Sequence, residues 1–427
     1  MTDTSDRPRV VIVGLGFGGL AAVKRLVKAP VRVTVVDCNN YHSFLALVYQ
    51  VASAELETTD IAYPIRSILR RKRGVEFILA EVQGVDLDKK VLLTDGAPIP
   101  YDFLILAPGS GPNTFGVAGA KEHAFPLTSV PHAVNLRNQI LRRFEEAVHE
   151  PDPDRRQAAL TFVVVGGGAT GVEFAGALTE LIRGPLAKDY RTLNVGEMRV
   201  ILLEALDSLL PALPDKLRTY AAAHLKKHGV DVRLKTPVAQ VTPEAVTLKD
   251  GTVIPTHTVI WTAGVQGDPR FKASGLPTTP NGRVAVLPTL QIPDHPEAYV
   301  IGDLAYMPHN GGSVPMVASG AVQEATVATA NILRQIRGEE LQDFHYKSPG
   351  MMVTIGRNAG VASLPLRVIP RTLTFTGFFA WFAWLAVHLF LLIGFRNRML
   401  VMINWAWDYF FFERAVRLIV PCRDERF

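Results

Sequence analysis

The sequence predicts an α/β chain in which one doubly wound domain is interrupted by a second and followed by an apolar helical tail. Three observations predict it. Residues 10 to 20 read VVIVGLGFGGL, a β-branched run that breaks into four glycines. The pattern returns from Thr161 as TFVVVGGGATGVEFAGAL. Residues 373 to 395, LTFTGFFAWFAWLAVHLFLLIGF, contain no Asp, Glu, Lys or Arg.

The first glycine run follows a strand at Val10 to Val13 and precedes LAAVKRLVK, which has helical spacing. Gly14, Gly16 and Gly19 hold the positions of G-x-G-x-x-G, with Gly18 between them. In that pattern the first glycine allows the turn. The second lets backbone approach a pyrophosphate, and the third lets the helix pack closely on the sheet. Free N–H groups and the helix dipole then favour the anion. A simple strand-to-helix turn without ligand is the plainer reading. Against it, the next strand, VRVTVVD, ends in Asp37, where a carboxylate can accept from an adenosine ribose.

The second copy has its strand at Phe162 to Val165 and its glycines at Gly166, Gly168 and Gly171. Its acid is Glu204, at the end of RVILLE and 38 residues after Gly166. The usual spacing is about 20. The intervening LTELIRGPLAKDYRTLNVGEM reads as an extended helix plus a loop. An acid at Glu204 repels a 2′-phosphate, so NADH is favoured over NADPH. Two such folds imply two dinucleotides, a flavin and a nicotinamide, because hydride passes between them.

The order of strands predicts nesting. The first fold exits through YDFLILAPGS, where Pro108 cannot donate a backbone hydrogen bond. It is completed by the distant EAYVIGDLA, with Gly302 after the strand and Asp303 placed for a ribityl hydroxyl. The inserted fold closes at HTVIWTAGV, which leads to Ala263 and Gly264. The expected divisions are residues 1–115 and 276–345 for the first fold, 116–159 for a connecting helical segment, 160–275 for the second fold and 346–427 for a C-terminal membrane-anchoring region. The predicted class is thus two nested Rossmann-like dinucleotide-binding domains plus a C-terminal helical membrane-interface segment.

Composition bounds the rest. The chain has 427 residues, 48 % of them apolar, and a net charge of +5. Mean hydropathy is positive, and much of the excess lies after residue 372. A mildly basic chain suits an anionic membrane surface as well as nucleic acid. The two cysteines, Cys38 and Cys422, are too few and too far apart for a disulfide framework, so a reducing compartment is expected. The eleven histidines do not cluster at ligand spacing, so no metal is expected. The polar opening MTDTSDRPR does not read as a signal peptide.

The tail admits three readings: one membrane span, a buried core or dimer helix, or two helices lying in the membrane interface. Residues 373 to 395 are long enough to span. The following LVMINWAWDYFFFERAVRLIV carries Asp408, Glu413, Arg414 and Arg417, and charges cost about 2.5 to 3.5 kcal/mol each at a bilayer centre. The interfacial hairpin is therefore preferred, with Trp381, Trp384, Trp405, Trp407 and Tyr409 at headgroup depth and Arg396 and Arg398 near anionic lipid. A lone histidine inside the first helix, His388, reads as a packing residue.

Taken together, VVIVGLGFGGLAAVKRL, HSFLALVYQVASAEL, VVVGGGATGVEFAGAL, YVIGDLA, SGAVQEATVATANI, MVTIGRNAGVA and LIGFRNRMLVMINWAWDYFFFERAVRLI resemble the type II NADH dehydrogenases, single-subunit NADH:quinone oxidoreductases. The resemblance implies FAD at the first fold, held by Gly14, Gly16, Phe17, Gly18, Gly19, Asp37, Val82, Ala107, Gly109, Gly302, Asp303 and Ala318. Tyr49, Gln50, Val51 and Ala52 would lie beside the flavin. NADH would be held by Gly166, Gly167, Gly168, Gly171, Glu204, Ala263 and Gly264. Glu173 would sit near both rings, or serve only as a first-turn carboxylate for the helix dipole. The family's quinone motif, A-Q-x-A-x-Q, stands here as ASGAVQ. Ala318, Ala321 and Gln323 fit it, and Ser319 replaces the first glutamine.

The resemblance further implies quinone as acceptor. Proton pumping is not expected, because one or two apolar helices cannot build a charged transmembrane channel. The apolar surface of the tail suits a homodimer, and no nucleic-acid partner is expected. Without a signal peptide, the expected place is peripheral or monotopic, on the cytoplasmic side of the cell membrane. A soluble flavin-dependent NAD(P)H reductase of another acceptor and an NADH-binding redox sensor remain as alternatives. Disulfide reductases and sulfide:quinone oxidoreductases need a cysteine pair near the flavin, which the chain lacks.

Overall fold

Val10, Val11 and Ile12 have no exposed surface, because the strand holding them, β1 (Arg9–Val13), has a parallel partner on each edge. A strand covered on both faces carries an unbroken apolar run instead of an alternating one. The glycine turn leads into α1 (Phe17–Leu26), then β2 (Arg32–Asp37). A short helix α2 (Val48–Ala52), β3 (Val75–Leu79) and β4 (Phe103–Leu106) follow. Next come β5 (Phe125–Pro126) and α3 (Val130–His149), the latter capped by Ser129, whose hydroxyl accepts from the His132 N–H. The second motif supplies β6 (Thr161–Val165), α4 (Ala169–Leu181), β7 (Arg199–Leu203), β8 (Val230–Arg233) and β9 (Thr258–Trp261). The chain then forms β10 (Gln291–Ile292), β11 (His295–Val300) and α5 (Ala318–Ile336). It ends with β12 (Met351–Gly356), β13 (Ala359–Pro365), β14 (Thr372–Thr376), α6 (Phe378–Leu391) and α7 (Phe395–Phe411).

The computed structural model describes residues 7–366, 372–414 and 416–420. It divides into two units. The first comprises Met1–Ser43, Tyr63–Gly111 and Val265–Pro349. Its sheet runs β10-β11-β4-β1-β2-β3, parallel throughout except for β10 against β11. The distant strand β11 completes the sheet by pairing with β4, Ala298 opposite Leu104 and Val300 opposite Leu106. On one face α1 meets α5 where Gly18 has no side chain: a Cβ there would stand 3.2 Å from Ile301 and 3.4 Å from Ala321.

The second unit comprises Phe44–Ala62, Pro112–Gly264 and Gly350–Phe427. Its central sheet runs β5-β9-β6-β7-β8, all parallel. The long spacing from Gly166 to Glu204 is explained by α4 continuing through a widened turn, Ile182–Leu186, into Ala187–Asp189. Pro185 inside that turn donates no hydrogen bond and so opens the helix. The first unit resumes at Val265, not at residue 276, and Phe44–Ala62 packs in the second unit with the tail.

The tail differs from a continuous span. Residues 372–376 are a strand, paired antiparallel with β13 from Val361↔Thr376 to Pro365↔Thr372. Their threonines suit a pleated strand. Gly377 and Gly394, with φ of 76° and 86°, then end and restart the chain direction. The two helices have 14 and 17 residues, or about 21 and 25 Å, against a hydrocarbon layer of about 30 Å. Among the described residues no helix is long and apolar enough to cross a membrane.

The helix α7 is tied down by a buried amide. Asn397 donates to the carbonyls of Thr59, at 3.0 Å, and Asp60, at 2.9 Å. Asn397→Ala leaves those buried carbonyls without a donor, and a loss of about 2 kcal/mol is expected. Thermal unfolding should show a lower Tm; an unchanged Tm refutes the anchoring role.

Candidate functional site

The two glycine turns repeat each other atom by atom. Gly14 N donates to Val36 O at 2.8 Å, and Gly166 N to Leu203 O at 2.8 Å. Ala107 N donates to Val13 O, and Thr262 N to Val165 O. In each turn the following acid braces the loop. Asp37 Oδ2 accepts from Leu15 N at 2.7 Å, and Glu204 Oε2 from Gly167 N at 2.6 Å. Each acid's other oxygen accepts a second backbone N–H, from Asn39 or Leu206. A carboxylate has about four acceptor positions, so both acids retain capacity for ribose hydroxyls.

The glycines in each turn are needed for different reasons. A Cβ on Gly14 would lie 2.3 Å from Ala107 O, and one on Gly19 would lie 1.9 Å from Gly14 O. Gly166 and Gly171 are hemmed in alike, by Ala263 Cα at 2.6 Å and by Gly166 O at 1.9 Å. Gly167 must yield to Leu209 and Glu204. The middle glycines, Gly16 and Gly168, are unlike these. Their φ values, −69° and −71°, suit any residue. A Cβ on either would meet no described atom within 4 Å. Protein packing gives no reason for glycine there; a phosphate group pressed against backbone does. The residues thus fit two dinucleotides.

Of the remaining residues expected at the first site, Tyr49, Gln50, Val51 and Ala52 belong to the second unit and the others to the first. Phe17 opens α1 and meets His42 edge-on. Gly109 has φ of +83°. Val82 begins a short strand, and its carbonyl accepts from Arg270. Asp303 accepts from Ser110 Oγ at 2.6 Å; burial pushes its carboxyl up, and that bond partly offsets the push. Gly302 N donates to the buried Glu324, whose carboxyl burial raises to about 7. Ala318 and Ser319 start α5. Gln323 does not face open space: its amide donates to the carbonyls of Ser319 and Lys347 and accepts from Lys347 N.

In the second unit, Gly264 lies against Phe115, where a Cβ would stand 2.8 Å from the ring. The helix α4 does two things. Its N-terminus carries the second glycine turn. Further along, Glu173, Ala177 and Glu180, at i, i+4 and i+7, line a cavity of about 510 Å³. Gly176 on the same helix lets β12 approach: a Cβ would be 2.6 Å from Ile355 O. Tyr49 and Gln50 from α2, Thr354 from β12, and Trp384 and Trp405 from the tail helices complete the cavity. Val51 and Ala52, also on α2, are fully buried.

The cavity's polar groups are held tightly. Tyr49 Oη is 3.0 Å from Thr354 Oγ1, and burial raises its phenol well above the ordinary range. Gln50 donates to Tyr49 Oη and accepts from Trp405 Nε1 at 2.9 Å. Burial pushes Glu173 up to about 8, only partly offset by the Thr354 N–H and the Trp384 indole. A carboxyl so placed holds its proton more readily than a free one. His388 stacks on Trp384 at 3.9 Å and contacts the Trp384 carbonyl, as a packing residue does.

Sequence reasoning missed Thr354, Glu55 and His42. Burial makes each of them matter, and no spacing rule reports burial. His42 Nδ1 lies 2.7 Å from Leu15 O, while its buried Nε2 has no hydrogen-bond partner among the described residues. Cys38 is exposed, and Cys422 lies outside the described residues.

The model of the pyridine nucleotide-disulphide oxidoreductase family matches residues 8–325. The type II NADH:quinone oxidoreductase NdhA of Mycobacterium tuberculosis is 39 % identical over 96 % of this chain and 88 % of its own. The mitochondrial internal alternative NAD(P)H-ubiquinone oxidoreductase A1 of Arabidopsis thaliana is 30 % identical over 96 % and 86 %. The structure of NDH2 from Plasmodium falciparum in complex with NADH superposes with a TM-score of 0.86 at 19 % identity, covering 97 % of this chain and all of that one.

The two classes of glycine predict different failures. Gly14→Ala should prevent the first unit from folding. Gly16→Ala should fold with unchanged circular dichroism and retain less than about a tenth of the dinucleotide released on denaturation. Equal retention by Gly16→Ala and the parent refutes the phosphate assignment.

Proposed function

The chain belongs to the type II NADH:quinone oxidoreductases, and from that membership we propose which residues carry each part of the activity. The enzyme oxidises NADH with a quinone, does not pump protons, and uses FAD. Bound FAD supplies the two-electron chemistry that joins the two substrates.

In this reading Gly14, Gly16, Gly18 and Gly19 hold the FAD pyrophosphate at the start of α1, and Asp37 takes the ribose. Asp303 takes a ribityl hydroxyl. Gly166, Gly168 and Gly171 hold NADH, and Glu204 disfavours a 2′-phosphate at that site.

The quinone occupies the cavity of about 510 Å³, a size usual for small-molecule sites. The observation that carries this is the double use of α4: nicotinamide cradle at its N-terminus, cavity wall along its face. Gln50 retains one amide hydrogen for a quinone oxygen, whereas both amide hydrogens of Gln323 are committed to backbone. Gln323 then braces α5 against Lys347. Glu173, neutral below about pH 8, donates a hydrogen bond and excludes a competing charge.

The membrane side is read from exposure. Phe379, Phe390 and Phe410 are 76, 74 and 73 % exposed, too much apolar surface on two adjacent helices to face water alone. We place this face on lipid, with the enzyme on the cytoplasmic side of the cell membrane. Leu418, Ile419 and Val420 are the exposed edge that a second copy would cover in a homodimer.

Absorbance tests the function. The purified yellow enzyme should bleach with NADH and recover on adding a soluble quinone, through many cycles. A single partial cycle supports a redox sensor instead. For the membrane face, deletion from residue 373 would remove β14 and so disturb the fold. Phe379→Glu, Phe390→Glu and Phe410→Glu together should reduce partitioning to anionic vesicles more than about tenfold. Unchanged pelleting with vesicles places the anchor elsewhere.

A further inference from the structure

The quinone cavity is apolar along the tail helices and charged at one end. Glu55, Glu180, Asp408 and Arg357 line that end, and Arg414 lies behind them with its side chain 2 % exposed. Arg414 donates to the carbonyls of Ser53 and Ala177, at 2.9 Å each. It also donates to Glu180 Oε2 at 3.3 Å, and its Nε is 3.6 Å from Asp408. The Arg357 guanidinium reaches Asp408 at 3.8 Å and covers the Phe412 ring, while its backbone N–H donates to Glu180.

Two guanidinium groups therefore face two engaged carboxylates. Glu55 is a third carboxyl. Its side chain makes no hydrogen bond among the described residues, and its approach to Arg414 is 3.9 Å. Charge removed from water must be matched, and an unmatched carboxyl keeps its proton.

We propose that Glu55 is a proton donor to the quinone. The inference rests on the cavity being the quinone site. NADH delivers a hydride, which carries two electrons and one proton; reduction to quinol needs one proton more. The Glu55 O–H breaks, an O–H forms on the quinone, and Glu55 is left a carboxylate beside the Arg414 guanidinium. It regains a proton from water past Glu180, whose side chain is 33 % exposed. Burial raises the Glu55 carboxyl to about 8; Arg414 and Arg357 oppose this, while Asp408 and Glu180 add to it. The Tyr49 phenol faces the same group from α2 and stays protonated.

The sign follows. Glu55 holds its proton below about pH 8 and loses it above, so the quinone step slows as pH rises through that value. Glu173 titrates in the same window, so the comparison with a variant decides, not the parent profile alone. The test uses the full-length FAD-loaded enzyme and a short-chain benzoquinone in stopped flow. Flavin reduction by NADH and reoxidation by quinone are read separately. Glu55→Gln should slow reoxidation about tenfold or more at neutral pH and abolish its fall above about pH 8. Glu55→Asp should restore a pH-dependent limb. A Glu55→Gln enzyme with the parent rate and the parent limb overturns the proposal and assigns the limb to Glu173. Should Glu55→Gln fail to retain flavin, Glu55→Asp decides: a displaced limb supports the donor and an unmoved one overturns it. A parent enzyme that NADH reduces but no quinone reoxidises overturns the functional reading itself, and the proposal with it.

Discussion

Backbone against backbone, closer than any side chain permits, is the constraint on which this molecule is built. In each nucleotide turn the third glycine of the motif sits so near the first that a methyl group would stand 1.9 Å from a carbonyl oxygen. That contact jams the start of a helix onto the end of a strand. It aims the free N–H groups of the helix at one point, just beyond a middle glycine with nothing in front of it. Strand and helix are then joined through a few residues, and each acid is brought to the turn by the parallel pairing of its strand. Asp37 and Glu204 each return to brace the loop that precedes them. The same geometry arises twice because the same spacing occurs twice.

The second turn does more than the first, because α4 is longer than a cradle needs. Its N-terminus carries the second glycine turn and its side walls the cavity. Gly176 brings β12 against it, and Thr354 on that strand supports both Tyr49 and Glu173. Carboxyls in such a place are costly as ions, so their protons are retained into the range where an enzyme works. Burial here is a chemical setting and not only a source of stability.

The tail shows how a shared composition can hide two purposes. Its aromatic residues divide between a packed interior, with Trp384 1 % exposed, and an outer face, with Phe379 76 % exposed. Its charges divide too. Arg414 is among the most deeply buried charged groups described, satisfied by two carbonyls and flanked by acids, although from sequence it reads as one more charge unsuited to a membrane centre. A buried guanidinium that has lost water needs several partners at once, and those partners come from the turn after α2, from α4 and from α7.

Local pattern sufficed for the nested order of the two folds, both glycine turns, both acids and the helix that lengthens the second motif. The turns depend on residues a few positions apart, and the acids and the nesting on the order of apolar strands, each of which shows as an unbroken run. The sequence also pointed to Glu173 and to the stretch that supplies Tyr49 and Gln50. Tertiary structure decided what no spacing could. It turned the start of the apolar run into a strand, because Gly377 breaks it and β13 offers backbone partners. It committed Gln323 to Lys347. It gathered Glu55, Glu180, Asp408 and Arg414 at one wall. Those four lie up to 359 residues apart, and charge balance at a largely buried wall depends on which groups meet, a property of the packed chain that no short window of residues contains.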